Sequence, residues 1–365
     1  MEEKDIEKMT LDEKVEDFYK YFQNKKEYNL QIERALVVGL YKDAYYSRNK
    51  GLKEFKEFDK LYEIDKYHNA VLTRSEDNFT VMKAYMFSNE YLDKLFESKE
   101  INVNGKKVFL VGTGLCQVYN TLLKGAKEIT IGDANMFLEP SAELKTALIC
   151  TMNRKDFLDY YNYNFPEHFF ENHNVYAKAS QYLNSNAKEF WDRVMLEGDK
   201  EILELLFHRD CCYHGSKFYK EDDEYNKLQQ LLKQRNFKID YKIENFSDFP
   251  KILKDKYDFM SFSNIKEYYG NENKFYDVLK VLYEKNLALN GVMQTNSHLY
   301  NGEEEKETKN LKQLLPGSKV FKIRNSGIIC NLLYGGKLYG GKLEAYDSVC
   351  VKKELENVSE KDMIK

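Results

Sequence analysis

Residues 107–135 read KVFLVGTGLCQVYNTLLKGAKEITIGDAN, and this stretch constrains the fold more than any other. Val108–Val111 is a continuous apolar run rich in β-branched residues, the pattern of a strand buried on both faces. Gly112 and Gly114 follow at once, where glycine permits a sharp turn and close approach to the main chain. Val118, Leu122 and Leu123 then recur at helical spacing, and a second strand over 128–131 runs into Gly132-Asp133. The stretch predicts a βαβ unit with an acid at the carboxyl end of its second strand, about twenty residues after the turn, where such acids bind ribose hydroxyls. The sixth position of the glycine pattern is Gln117, so the dinucleotide fingerprint fails. A short glycine loop plus an acid suits a mononucleoside without a pyrophosphate, and S-adenosylmethionine is the expected cofactor. The alternative is a βα turn that binds nothing.

The rest of the chain sets the frame. Its 365 residues leave room for one large domain or two ordinary ones, and 42% apolar residues can build a sizeable core. A net charge of −4 offers no strong positive field for nucleic acid, and no nucleic-acid partner is expected. No apolar run approaches the ~20 residues of a membrane span, and no signal peptide is evident, so a cytoplasmic protein without a transmembrane segment is expected. The six scattered cysteines fit reduced thiols.

Three regions are expected. Residues 1–100 read as a helical cap, with a capping box at Thr10–Glu13, a stripe of Val15, Phe18, Tyr19 and Phe22, and helices over 31–47, 78–87 and just after Ser88. Residues 105–152 and 236–355 read as the cofactor-binding α/β domain. Its later strands are placed at 237–243, 257–262, 291–295, 320–323 and 348–352, the last two as an antiparallel hairpin closing the sheet. Its helices are placed at 139–152, 275–283 and 303–314. Residues 153–235 read as an inserted, mostly helical substrate lobe, whose Tyr/Phe-rich run 157–170 suits lobe core. The repeated LYGGK near 333–342 reads as a loop. His208, Cys211, Cys212 and His214 crowd together at spacings that fit no usual zinc site, so no metal is expected.

Three stretches together resemble the S-adenosylmethionine-dependent 3-amino-3-carboxypropyltransferases that carry out the first step of betaine-lipid synthesis on diacylglycerol. In GDANMFLEPSAELKTALI, the residues Asp133, Asn135, Glu143, Leu144, Lys145 and Ala147 match the family's D-x-N and E-L-K-x-A. In YDFMSFSNIKEYY, Ser263, Asn264 and Ile265 match its S-N-I, and in LTRSEDNFTVMKAYMF, Glu76 and Asp77 match its E-D. Cys116, Met136, Leu138, Ser75 and Asn78 depart from it, at the family's Asn, Pro, Gln, Trp and Pro. The resemblance implies a class I methyltransferase-like Rossmann sheet of seven strands with the last antiparallel. It also implies transfer of the 3-amino-3-carboxypropyl group to a lipid or small-molecule hydroxyl or amine, with release of methylthioadenosine. The competing readings are a small-molecule methyltransferase and a non-catalytic binding module of the same fold.

On this resemblance, Gly112, Thr113 and Gly114 hold the cofactor's amino-acid arm, Asp133 and Asn135 its ribose, and Asn245 and Phe246 its adenine. Ser263 and Asn264 end the strand beside the glycine loop, or simply cap the next helix. Asp77 is the expected base and Glu76 the group that orients the ammonium, unless both are only helix-start acids. Tyr213 and His214 would face the substrate from the lobe, or lie buried within it. Glu143 and Lys145, two apart on one helix, point in different directions and are expected to be structural.

Overall fold

The computed structural model describes residues 72–75, 78–81, 84–88, 90, 92–112, 114–133, 135, 137–165, 168–197, 207–208, 216–263, 265–268, 272–296, 303–324, 332–334, 337–339 and 347–354. The Thr10 capping box, the stripe after it, the helix at 31–47, Glu76, Asp77, Thr113, Asn264 and residues 210–214 lie outside the described residues. The chain divides into two compact units. One comprises Met1–Met86, Asp133–Cys211 and Ile243–Asn245, the other Phe87–Gly132, Cys212–Lys242 and Phe246–Lys365.

The main sheet has seven strands: β1 (Lys107–Val111), β2 (Glu128–Asp133), β3 (Lys238–Ile243), β4 (Tyr257–Ser261), β5 (Leu287–Asn296), β6 (Lys319–Arg324) and β7 (Asp347–Lys352). Their order is β3-β2-β1-β4-β5-β7-β6. β1 pairs parallel with β2 and β4, and β4 parallel with β5. Bonds from Lys238 N to Lys127 O and from Glu244 N to Asp133 O advance in the same direction, so β3 is parallel to β2. Only β7 runs against its neighbours, antiparallel to both β5 and β6. The chain therefore builds outward from β1 through β2 and β3, then returns to the other side of β1 with β4. That reversal makes the β1/β4 boundary the topological switch point, outside whose carboxyl ends ligands bind in open α/β sheets.

Helices flank the sheet: α1 (Leu92–Glu97), α2 (Cys116–Leu123), α3 (Asp222–Gln234), α4 (Glu272–Lys285) and α5 (Glu303–Leu314). Alternation along the strands decides which layer each side chain meets. Phe109, Val111 and Met260 join one core with Phe275, Leu279 and Leu282 of α4 and Leu311 of α5. Phe259, next to Met260, turns the other way and meets the ring of Phe96 in α1 at 5.7 Å. α2 packs between α1 and α3. The result is a helix–sheet–helix sandwich, which explains why β1 is apolar without alternation. Gly132 sits where a β-carbon would come within 2.6 Å of Phe109 Cζ and 2.7 Å of Phe249 Cζ, so β2 needs glycine there for two rings to pack.

The first unit is mostly helical and rich in aromatic packing among its described residues, with short strands at 72–85 and 207–208. The helix Leu138–Thr151 buries nearly all its length, including Leu144, Ala147 and Leu148. Phe137, Phe165, Phe169, Trp191 and Phe207 pack edge-on or stacked around one another. Trp191 Nε1 donates to Pro140 O at 2.9 Å, so the largest buried ring also satisfies its one polar atom. Asp159–Asn164 forms a single turn of π-helix that stacks Tyr161 between Phe157 and Phe165. Phe157, Tyr160, Tyr161, Phe165 and Phe169 of the aromatic run are thus buried in this core, as expected of the run.

Two expectations are corrected. The helix at 78–87 is absent: Leu72–Ser75 and Asn78–Val81 pair as an antiparallel hairpin, and Ala84–Tyr85 pairs parallel with Phe207–His208. The stretch NFTVMKAYMF is rich in β-branched and aromatic residues, and its strand partners outweigh a weak helical spacing. The LYGGK repeat is not simply a loop either. Leu332–Tyr334 and Lys337–Tyr339 pair antiparallel around Gly335-Gly336, since a Gly-Gly pair between short apolar runs is a hairpin signal.

Candidate functional site

The switch point is built from the ends of β1 and β4. Their register sets Leu110 against Ser261, so the turns that follow both strands emerge side by side. Both turns use positive φ: Gly112 at 118°, Leu115 at 58° and Ser263 at 51°. The last two are not glycines, and such conformations persist only where the surroundings over-determine them. What fixes them here is a short segment ahead of α1. A β-carbon on Gly114 would lie 3.0 Å from Ser88 N, so a larger residue there would press on the protein's own backbone. Ser88 N in turn donates to Cys116 Sγ at 3.2 Å, which gives this cysteine a structural task.

Glu90 is the centre of this arrangement. It is only 3% exposed. Ser263 Oγ donates to its Oε1 at 2.8 Å, while its Oε2 accepts from the Gln117 side-chain amide and, at 3.5 Å, from Ser88 Oγ. One carboxylate therefore ties the β4 turn to the first turn of α2. Ser263 Oγ thus engages Glu90 from the β4 turn. The Gln117 carbonyl oxygen, Oε1, is buried and has no hydrogen-bond partner. Among the described residues, no side chain caps the amino end of α2, whose first N–H groups suit an anionic or polar group.

The D-x-N stretch has its own geometry. Asn135 N donates to Asp133 Oδ1 at 2.8 Å, and Phe137 N donates to Asn135 Oδ1 at 2.8 Å. These two side-chain turns lead β2 into the helix Leu138–Thr151, so Asp133 and Asn135 already shape the backbone. Asn135 is buried, whereas Asp133 is half-buried at the carboxyl end of its strand. Glu143 accepts from Asn184 N at 3.3 Å, and the buried Lys145 donates to Met86 O and lies over the Tyr161 ring. Glu143 and Lys145 both make structural contacts. Asn245 is half-buried just past β3. Phe246 is buried in the sheet's core, stacked on Phe275 at 5.2 Å.

Among the described residues, no group of three or more His, Cys, Asp or Glu side chains could hold a metal ion, and no helix is long and apolar enough to cross a membrane. Sequence reasoning missed Glu90 and Gln117. Glu90 resembles any acid before a helix, and Gln117 entered only as the residue that spoils a glycine motif. No family model matches the chain, and no curated protein is significantly similar to it.

Proposed function

We propose that this chain is an S-adenosylmethionine-dependent transferase of class I methyltransferase-like fold that moves the 3-amino-3-carboxypropyl group to a hydroxyl or amine. The observation that carries the reading is the strand order with its reversal between β1 and β4, and the glycine turn at that reversal. The single antiparallel strand, β7, fits the sheet that the resemblance implies.

The residues present fit the cofactor. Gly112, with its positive φ, and the uncapped start of α2 would take the amino-acid carboxylate on backbone N–H groups. Asp133 would accept from ribose hydroxyls. S-adenosylmethionine, when bound, supplies a sulfonium whose attached carbons are open to nucleophilic attack. The protein's part is mainly orientation, because the carbon aligned with the acceptor decides which group moves. Asp77 would take the acceptor's proton.

Calorimetry with S-adenosylmethionine tests the cofactor, and a protein that binds none would be a non-catalytic module instead. Incubation with cofactor and extracted lipids or metabolites tests the reaction. Methylthioadenosine together with an acceptor heavier by one aminocarboxypropyl unit supports the proposal; S-adenosylhomocysteine as the product replaces it with methyl transfer.

A further inference from the structure

We propose that Glu90 and Gln117 form a recognition site for a primary ammonium group, so that the corner between β1 and β4 selects ligands ending in an α-amino acid. This rests on the reading of the site as one for S-adenosylmethionine, and it assigns the ammonium to residues that neither the motifs nor the resemblance single out.

The argument starts from charge. Glu90 is buried, and all three donors to its carboxylate are neutral: Ser263 Oγ, the Gln117 amide and Ser88 Oγ. Among the described residues, no Lys, Arg or His lies within ion-pair distance of it. Buried carboxylates are normally paired, because neutral hydrogen bonds offset only part of the cost of leaving water. If the segment needed only a tie between α2 and the β4 turn, a neutral glutamine would serve.

Gln117 supplies the second, independent observation. Its amide gives its N–H to Glu90, so the carbonyl Oε1 of the same group is fixed close by, buried and unpartnered. A buried acceptor without a donor is uncommon in folded proteins and calls for an explanation. Two adjacent acceptors, one of them charged, match an ammonium, which carries three donors and a positive charge. A ligand hydroxyl could satisfy one acceptor but would leave the charge unbalanced.

The other pole lies on the same turn. Gln117 is the second residue of α2, whose amino end no side chain caps among the described residues. Backbone N–H groups there favour a carboxylate. The ammonium and carboxylate of one α-amino acid hang from the same carbon, so a side chain and the backbone of a single helical turn would take them together.

Calorimetry with three ligands provides the test: S-adenosylmethionine, decarboxylated S-adenosylmethionine and methylthioadenosine. The first two carry the ammonium and the third does not. Glu90→Gln is expected to weaken the first two by about tenfold to a hundredfold, the loss of one charge-assisted contact, and methylthioadenosine by less than about threefold. Glu90→Asp keeps the charge and should retain more affinity for the two ammonium ligands than Glu90→Gln. The assignment is overturned if Glu90→Gln leaves all three unchanged, if it weakens all three alike, or if the Asp and Gln variants are equivalent. Wild-type protein that binds none of the three overturns the cofactor reading itself, and this inference with it.

Discussion

Lys266 Nζ and Glu307 Oε2 meet at 2.6 Å, with the carboxylate side chain only 1% exposed. They join the short helix Ile265–Tyr268, which follows the Ser263 turn, to α5. Tyr276 Oη from α4 also donates to Glu307 at 2.6 Å, and Thr295 Oγ1 from β5 donates at 3.3 Å. Burial and the adjacent Glu307 push the Tyr276 hydroxyl up to about 12. One carboxylate thus gathers three elements behind the β4 turn.

Glu307→Gln should destabilise the protein by about 2–3 kcal/mol. The amide cannot balance Lys266, although Glu272, 2.8 Å from the same Nζ, limits the loss. Lys266→Met combined with Glu307→Leu should recover most of the stability, since the unpaired charge is then gone. Urea unfolding of Glu307→Gln, of the single variants Lys266→Met and Glu307→Leu and of their combination checks this; an additive double mutant would mean that the two groups are not coupled.

Gly132→Ala should cost about 1–3 kcal/mol, the range for overpacking a filled core. The added methyl meets Phe109 and Phe249, both almost wholly buried and unable to swing aside. Truncating one ring as well, by Phe249→Leu, should recover only part of the loss, because Phe109 still lies within 2.6 Å of the added methyl. Thermal melts of the single and double variants provide the measurement.

Glu139 gives a pH dependence of defined sign. Burial is the main cause that holds its carboxyl above the ordinary 4.5, with the Asn184 hydrogen bond opposing and Glu143 adding to the rise. A folded-state pKa above the unfolded one means stability that is full below the unfolded value and is lost as pH rises through the folded value. Glu139→Gln, which can still accept from Asn184, should therefore match wild type near pH 4 and exceed it at pH 7. Denaturation midpoints at the two pH values decide it.

Asp133→Ala should weaken S-adenosylmethionine binding by about 1–3 kcal/mol, by leaving ribose hydroxyls without an acceptor. Asp133 Oδ1 also holds Asn135 N, so Asp133→Asn, which can keep that turn, separates the two tasks. Affinity that is lost in the alanine variant but kept in the asparagine variant would assign Asp133 to the backbone turn alone. Calorimetry of both variants reads the difference.

Much of the sheet is legible locally. Val108–Val111 and Tyr257–Met260 are buried runs whose composition already excludes a solvent-facing helix, and each falls within a residue or two of its expected place. The same logic fails wherever the deciding partner is distant. Ala84–Tyr85 is a strand because of Phe207–His208, more than a hundred residues on. Glu90 matters because Ser263 and Gln117 converge on it from separate elements, and nothing in its own neighbours marks it. Gly114 is the instructive intermediate. The need for glycine is visible in the sequence, but the group that approaches it is the backbone of Phe87 and Ser88.

The placement of β7 between β5 and β6 has a consequence for how the protein is made. In the sheet, β6 hydrogen-bonds only to β7, and β7 is the last of the seven to leave the ribosome. Until it arrives, the β5 edge stays open and β6 has no strand to join. From the synthesis of β5 until that of β7, the nascent chain therefore carries an unfinished sheet edge, and the final closure draws two strands into place in one event.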